Sequence, residues 1–201
     1  MTAAFSDNEK ELIKNKLSEA AKECIFKYGI RKTTVDQLVQ IAGISKGSFY
    51  NFYQSKEVLF FIILEDYQRT IINNITNEFM KEDKIGVDKF TNAIFDLYED
   101  VGKSFVISII RNNEFEYLMR KLPNEIIINH HALDETFIEK IFSFIKIKDN
   151  VNINTVAASL RAIFMSMIYV EEIGEKDFSD ALKLLIKGIA LQIIDEEHKN
   201  E

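Results

Sequence analysis

Residues 42–60, AGISKGSFYNFYQSKEVLF, place an ammonium (Lys46), three hydroxyls (Ser45, Ser48, Tyr50) and a carboxamide (Asn51) within seven positions, with a second ammonium at Lys56. That set contains no nucleophile with its base. It suits a polyanion: lysine neutralises a phosphate, hydroxyls donate to phosphate oxygens, and a carboxamide can reach a base edge. Gly47 stands among them, although glycine near a helix start costs up to about 1 kcal/mol relative to alanine. Close approach of a phosphate backbone supplies a reason for that cost. Lys56 falls at the start of a further helix, where amide dipoles also favour an anion.

Elsewhere the chemistry-bearing residues point to no reaction. His130 and His131 are neighbours, and on a helix they diverge by about 100° rather than converge on one ion, so no metal is expected. Cys24 lies on the apolar stripe of the first helical pattern and reads as a packed thiol. Glu171–Glu172 and Glu196–Glu197 read as solvated helix ends. No nucleophile, base and orienting group stand in a recognisable order, so neither an enzyme nor a cofactor is expected.

Elements able to hold the polar set in place follow from periodicity. Between Asn8 and Tyr28, apolar residues recur at three and four positions, giving a helix that Gly29 stops. Thr34 can cap a short second helix ending at Gly43, and Ser45 a third that carries Lys46, Gly47, Ser48, Tyr50 and Asn51. Two short helices separated by AGIS match a helix-turn-helix, whose second helix enters the major groove of DNA. Leu38, Ala42, Ile44, Phe49 and Phe52 would pack it together.

A fourth helix starts at Ser55 and runs to about Phe79. Further helical patterns cover about 87–101, 105–111, 114–122, 124–147, 154–173 and 178–194, with a polar connector, KIKDNVN, before the last two. In those two, Leu160, Phe164 and Met167, and Leu182, Leu185, Ile189 and Ile193, recur at the spacing of a helix–helix seam. A four-helix homodimer is expected there.

Composition sets the outer limits. One proline and seven glycines in 201 residues are too few for the turns of an all-β chain, so an all-α fold is expected. The longest apolar run, Val58 to Leu64, is far short of the roughly 20 residues of a membrane span, and the N-terminus lacks the pattern of a cleaved leader. With a single cysteine, these features lead to the expectation of a cytoplasmic protein without a membrane partner. The net charge of −7 conceals an asymmetry: nine of the 25 basic residues but only seven of the 32 acidic ones lie within residues 1–60. The head is therefore mildly basic and the body acidic, which suggests residues 1–54 as a nucleic-acid-binding domain and 55–201 as a separate helical domain.

Sixteen phenylalanines and seven tyrosines, most of them after residue 58, could line an apolar cavity. Arg111, Glu114, Tyr117 and His130 would be its polar groups, with hydroxyls from Tyr67 and Tyr98.

TTVDQLVQIAGISKGSFYNFYQSKEVLF, residues 33–60, resembles the DNA-binding signature of the TetR family of transcriptional regulators. The resemblance covers about the N-terminal quarter of the chain. It implies an all-helical homodimer whose heads bind a palindromic duplex operator, a body that binds a small effector, and a dimer interface on the last two helices. Repression released by a lipophilic effector is the default expectation. By the same resemblance, Thr33 and Thr34 fall where the family contacts phosphate, Lys46, Gly47, Ser48, Tyr50 and Asn51 on the recognition helix, and Lys56 on a phosphate-contacting helix start. The chain departs at Asn51, where histidine is frequent, and at Phe52–Tyr53, where the aromatic order is usually reversed. The alternatives from other classes are a helical enzyme with an apolar substrate and a protein-interaction module built on the terminal helices.

Overall fold

Ser6 begins the first helix by reciprocal capping: its hydroxyl accepts from the Glu9 amide at 3.4 Å, and the Glu9 carboxylate accepts from the Ser6 amide at 2.8 Å. The computed structural model describes residues 5–127 and 140–196. Helix α1 (Asp7–Lys32) buries Ile13, Leu17, Ala20, Ala21 and Cys24 along one stripe, as the three-and-four spacing requires. Its regular run ends at Gly29, which takes φ 76° and ψ 171°; a final turn, residues 30–32, follows the break.

Thr34 and Gln37 repeat the reciprocal cap at the start of α2 (Val35–Ala42), and Gly43 ends that helix in the left-handed region at φ 68°. Ser45 caps α3 (Lys46–Phe52), accepting from the Ser48 amide at 3.0 Å. Leu38 and Phe49 are fully buried between these helices and α1. Burial of a side chain such as Phe49 contributes about 1.5–3 kcal/mol, enough to hold a seven-residue helix that would not form alone.

Helix α4 (Lys56–Phe79) adds Val58, Leu59, Phe60, Phe61 and Ile63 to the same core. So do Phe105 and Ile109 of α6 (Phe105–Arg111), Leu118 of α7 (Phe115–Met119) and Leu122. The described residues divide into two compact units, one from residues up to 67 together with 105–127, the other from 68–104 and the residues after 127. The unit that holds the head extends beyond residue 54. The physical reason is that α4's first turns and the 105–127 segment supply side chains to the head's own core.

In the second unit, α5 (Val87–Gly102) packs against α10 (Glu175–Ile193). Phe90, Ile94 and Tyr98 of the former are buried, as are Phe178, Leu182, Ile186, Ala190 and Ile193 of the latter. Helix α8 (Ile153–Ser166), a 3-10 turn (Met167–Tyr169) and α9 (Val170–Ile173) precede it. The KIKDNVN connector does more than link helices. Ile147 forms an isolated bridge with Ile194, and the Asp195 amide donates to the Lys146 carbonyl. Glu196 then accepts from the Val87 amide at 2.8 Å, capping α5 where Gly86 offers no side chain. All the regular elements among the described residues are helices, so the chain is all-α.

Candidate nucleic-acid interface

Helix α3 turns Phe49 inward and leaves Lys46, Gly47, Tyr50 and Asn51 exposed, with Ser48 half-buried and Ser45 exposed at the cap. The Tyr50 ring meets Phe49 edge-on at 5.3 Å between centroids while 53% of the residue stays accessible, so its hydroxyl stands on a braced ring. Ser45 and Ser48 share one hydrogen bond, Oγ to Oγ at 2.8 Å. One of their two hydroxyl protons is used in it; the other is free to donate outward. Lys46 Nζ lies 3.0 Å from an Asp36 carboxylate oxygen, an exposed pair joining α3 to α2, and the hydrogen bond to Asp36 raises the Lys46 pKa.

Gly47 is informative by elimination. A Cβ built there would meet only Ser45 Oγ, at an ordinary 3.9 Å. Nothing within the folded head requires a glycine at that position, so the space above it is available to whatever approaches α3.

Three of the residues expected to contact phosphate make hydrogen bonds within the head. Thr33 is 1% exposed, and its hydroxyl donates to the Gly29 carbonyl at 2.7 Å; it closes the last turn of α1. The Thr34 hydroxyl is exposed but caps α2, accepting from the Gln37 amide at 3.2 Å. Lys56 directs its ammonium to the carbonyls of Ile30, Arg31 and Thr33 at 2.8, 3.3 and 2.7 Å. Three donors meet three acceptors, so that ammonium is spent inside the head.

Of the six residues expected to line a cavity, five are described. Glu114 is 4% exposed and accepts from the amides of Ile30 and Arg31 at 2.7 and 3.0 Å. Tyr117 donates to Glu57 at 3.3 Å beneath the Arg31 guanidinium, Tyr67 stacks edge-on with Phe105, and Arg111 is exposed. Tyr98, in the second unit, donates to the Leu160 carbonyl at 2.9 Å, and burial pushes its phenol far above the ordinary range. His130 lies outside the described residues, as do His131 and the carboxylates four positions after the two histidines, Asp134 and Glu135. Among the described residues, no cluster of His, Cys, Asp and Glu could hold a metal ion.

The expected seam residues divide as well. Met167, Leu182 and Ile193 are buried within their own unit, Leu160, Phe164 and Ile189 are half-buried, and Leu185 is 53% exposed. The large apolar side chains that do face outward are Leu184, Leu185 and Leu191 on α10, and Ile153, Met165, Tyr169 and Ile173 along 153–173. The signal was present in α10, whose apolar residues cover more than one face; such a helix needs cover on both sides.

Residues 17–62 match the family model described as "Bacterial regulatory proteins, tetR family". They span α1's buried stripe from Leu17 onward, the helix-turn-helix and the start of α4. That segment is a TetR-family DNA-binding segment. The chain is 27% identical over 136 residues to the HTH-type transcriptional regulator QacR of Staphylococcus aureus, an alignment covering 60% of this chain and 68% of QacR. In fold it resembles the FadR regulator of Bacillus subtilis, solved in complex with stearoyl-CoA, at TM-score 0.65 and 14% identity over 89% of this chain and 98% of FadR. It also resembles SmeT, the repressor of the Stenotrophomonas maltophilia multidrug efflux pump SmeDEF, at TM-score 0.64 and 14% identity over 92% and 91%. At such identities these two structures speak to fold. These likenesses support a TetR-family DNA-binding regulator, and within the matched segment α3 is the helix that carries the exposed polar set.

Proposed function

We propose that this regulator is a cytoplasmic homodimeric repressor that leaves a palindromic operator when a small, lipophilic effector binds its body. The exposed face of α3 carries the reading: Lys46, Tyr50, Asn51 and one Ser45/Ser48 hydroxyl stand together around a glycine that the fold itself does not need. Residues 1–54 would hold the operator, and 55–201 the effector and the partner copy. Two α3 helices would enter successive major grooves roughly 34–36 Å apart.

The partner copy is supported by α10 and the 153–173 segment. The latter has mean hydropathy 1.5 over its most apolar window, only 17% of which is buried. Leu184, 73% exposed, Leu191, 53% exposed, and Met165, 48% exposed, make an apolar face of a kind that obligate dimers cover. A second copy offers the same face, self-complementary about a two-fold axis. Membrane insertion of the 153–173 segment is the competing occupant, and sedimentation with and without phosphatidylglycerol vesicles separates them.

For the effector, the reading draws on relatives, one solved with stearoyl-CoA and one that represses a drug efflux pump, together with the phenylalanine-rich body. Such a ligand releases DNA only if it binds the DNA-incompetent arrangement more tightly. Footprinting on a genomic fragment retained by the protein should show a protected palindrome, and long-chain acyl-CoA or lipophilic cations should abolish it. A protected palindrome indifferent to every such ligand would leave the repressor without its effector class.

A further inference from the structure

We propose that Glu114 is a positioning residue for duplex recognition: it holds the broken end of α1 and so fixes where the helix-turn-helix begins. The proposal rests on the DNA-binding reading, but its geometry stands apart from it.

When α1 breaks at Gly29, the amides that follow need acceptors outside the regular helix ladder. Glu114 supplies them. Its Oε2 accepts from the Ile30 amide and its Oε1 from the Arg31 amide, one carboxylate spanning two consecutive N–H groups. The carbonyls of Ile30, Arg31 and Thr33 face Lys56. The segment is therefore gripped by a negative charge on its donors and a positive charge on its acceptors. Burying a carboxylate this deeply is costly unless it is so compensated, and charge-assisted bonds of this kind are the strong ones.

Gly29 is required twice over. Its positive φ excludes most side chains, and a Cβ there would stand 2.8 and 2.9 Å from the two Glu114 oxygens. The turn that presents Glu114 is itself fastened: Asn113 takes φ 51°, and its carbonyl accepts from Arg31 Nη2 at 2.9 Å. Thr34, the cap of α2, follows three residues after Arg31, and α3 rides on α2. A shift at Ile30–Arg31 thus displaces the reading helix, although Glu114 lies 84 positions from Ile30 and outside residues 17–62.

In Glu114→Gln, the carboxamide can accept from one amide only, and its NH2 confronts the other. Gly29→Ala retains the charge but pushes it away. The test measures amide exchange at Ile30 and Arg31, thermal unfolding, and affinity for a selected operator against a scrambled duplex at one salt concentration, well below the melting temperature. For both folded variants, exchange at the two amides should quicken about tenfold or more, operator affinity should fall about tenfold, and scrambled-duplex affinity should stay within about twofold. Unchanged exchange would overturn the grip. Faster exchange with undiminished discrimination would make Glu114 a merely structural residue. Should Glu114→Gln fail to fold, Gly29→Ala carries the same two readouts. A parent protein that selects no duplex would sink the DNA reading instead, while the exchange arm would still report on the grip.

Discussion

Asp36 and Lys46 face each other across the helix-turn-helix, carboxylate oxygen to ammonium at 3.0 Å, both exposed. If this surface meets phosphate as proposed, an acid placed beside its main cation holds that cation back. Replacing Asp36 by Asn should release Lys46 and strengthen binding to every duplex alike, with the salt dependence steepening by about 0.9 in the log–log slope. Affinity titrations at several salt concentrations would show it. A change confined to one sequence would make Asp36 a base reader.

Gly47 separates stability from function. Alanine fits the folded head without a clash, so Gly47→Ala should raise stability by about 0.4–1 kcal/mol in urea unfolding. The added methyl should nevertheless weaken duplex binding. If binding were unaffected, close approach of DNA over α3 would not be the reason for the glycine.

Tyr50→Phe removes one hydroxyl while retaining the edge-on contact with Phe49. Binding should weaken to a similar extent for all sequences, as loss of a phosphate contact does. Asn51→Ala should alter base preference instead, costing about 1–3 kcal/mol at the position it reads. Selection from a randomised duplex library distinguishes the two patterns.

On the apolar face, Leu184→Lys combined with Leu191→Lys should yield monomers in analytical ultracentrifugation with little loss of helicity, since both side chains are exposed. Leu182→Ala should do the opposite: the dimer persists, but stability falls by about 2–5 kcal/mol through the cavity it leaves. Monomers from Leu182→Ala, or dimers from the lysine pair, would move the interface elsewhere.

Much of the head was legible because its signals are local. Thr34, Gly43 and Ser45 act through neighbours within a turn, and the inward place of Phe49 follows from helical spacing. What could not be read depends on contacts distant in sequence. Nothing near Glu114 announces that its carboxylate meets amides 83 and 84 residues earlier, and an apolar neighbourhood made it look like a pocket group. The intramolecular partners of Lys56 are hidden from the sequence for a similar reason. A lysine at a helix start suits an anion, but the carbonyls left open by the break in α1 reach it first.

The dimer seam carries a different ambiguity. In α10, Leu182 and Ile193 share the apolar spacing of Leu184 and Leu191, and periodicity alone does not say which set faces the chain's own core. Packing against α5 settles it: Leu182 and Ile193 are buried, whereas Leu184 and Leu191 face outward.

Whether α3 lies against a duplex is decided by selection from genomic fragments at low ionic strength. A small number of fragments sharing a palindrome should be retained and then released steeply as salt is raised. Retention of none, or of fragments whose binding ignores salt, would contradict duplex binding by α3.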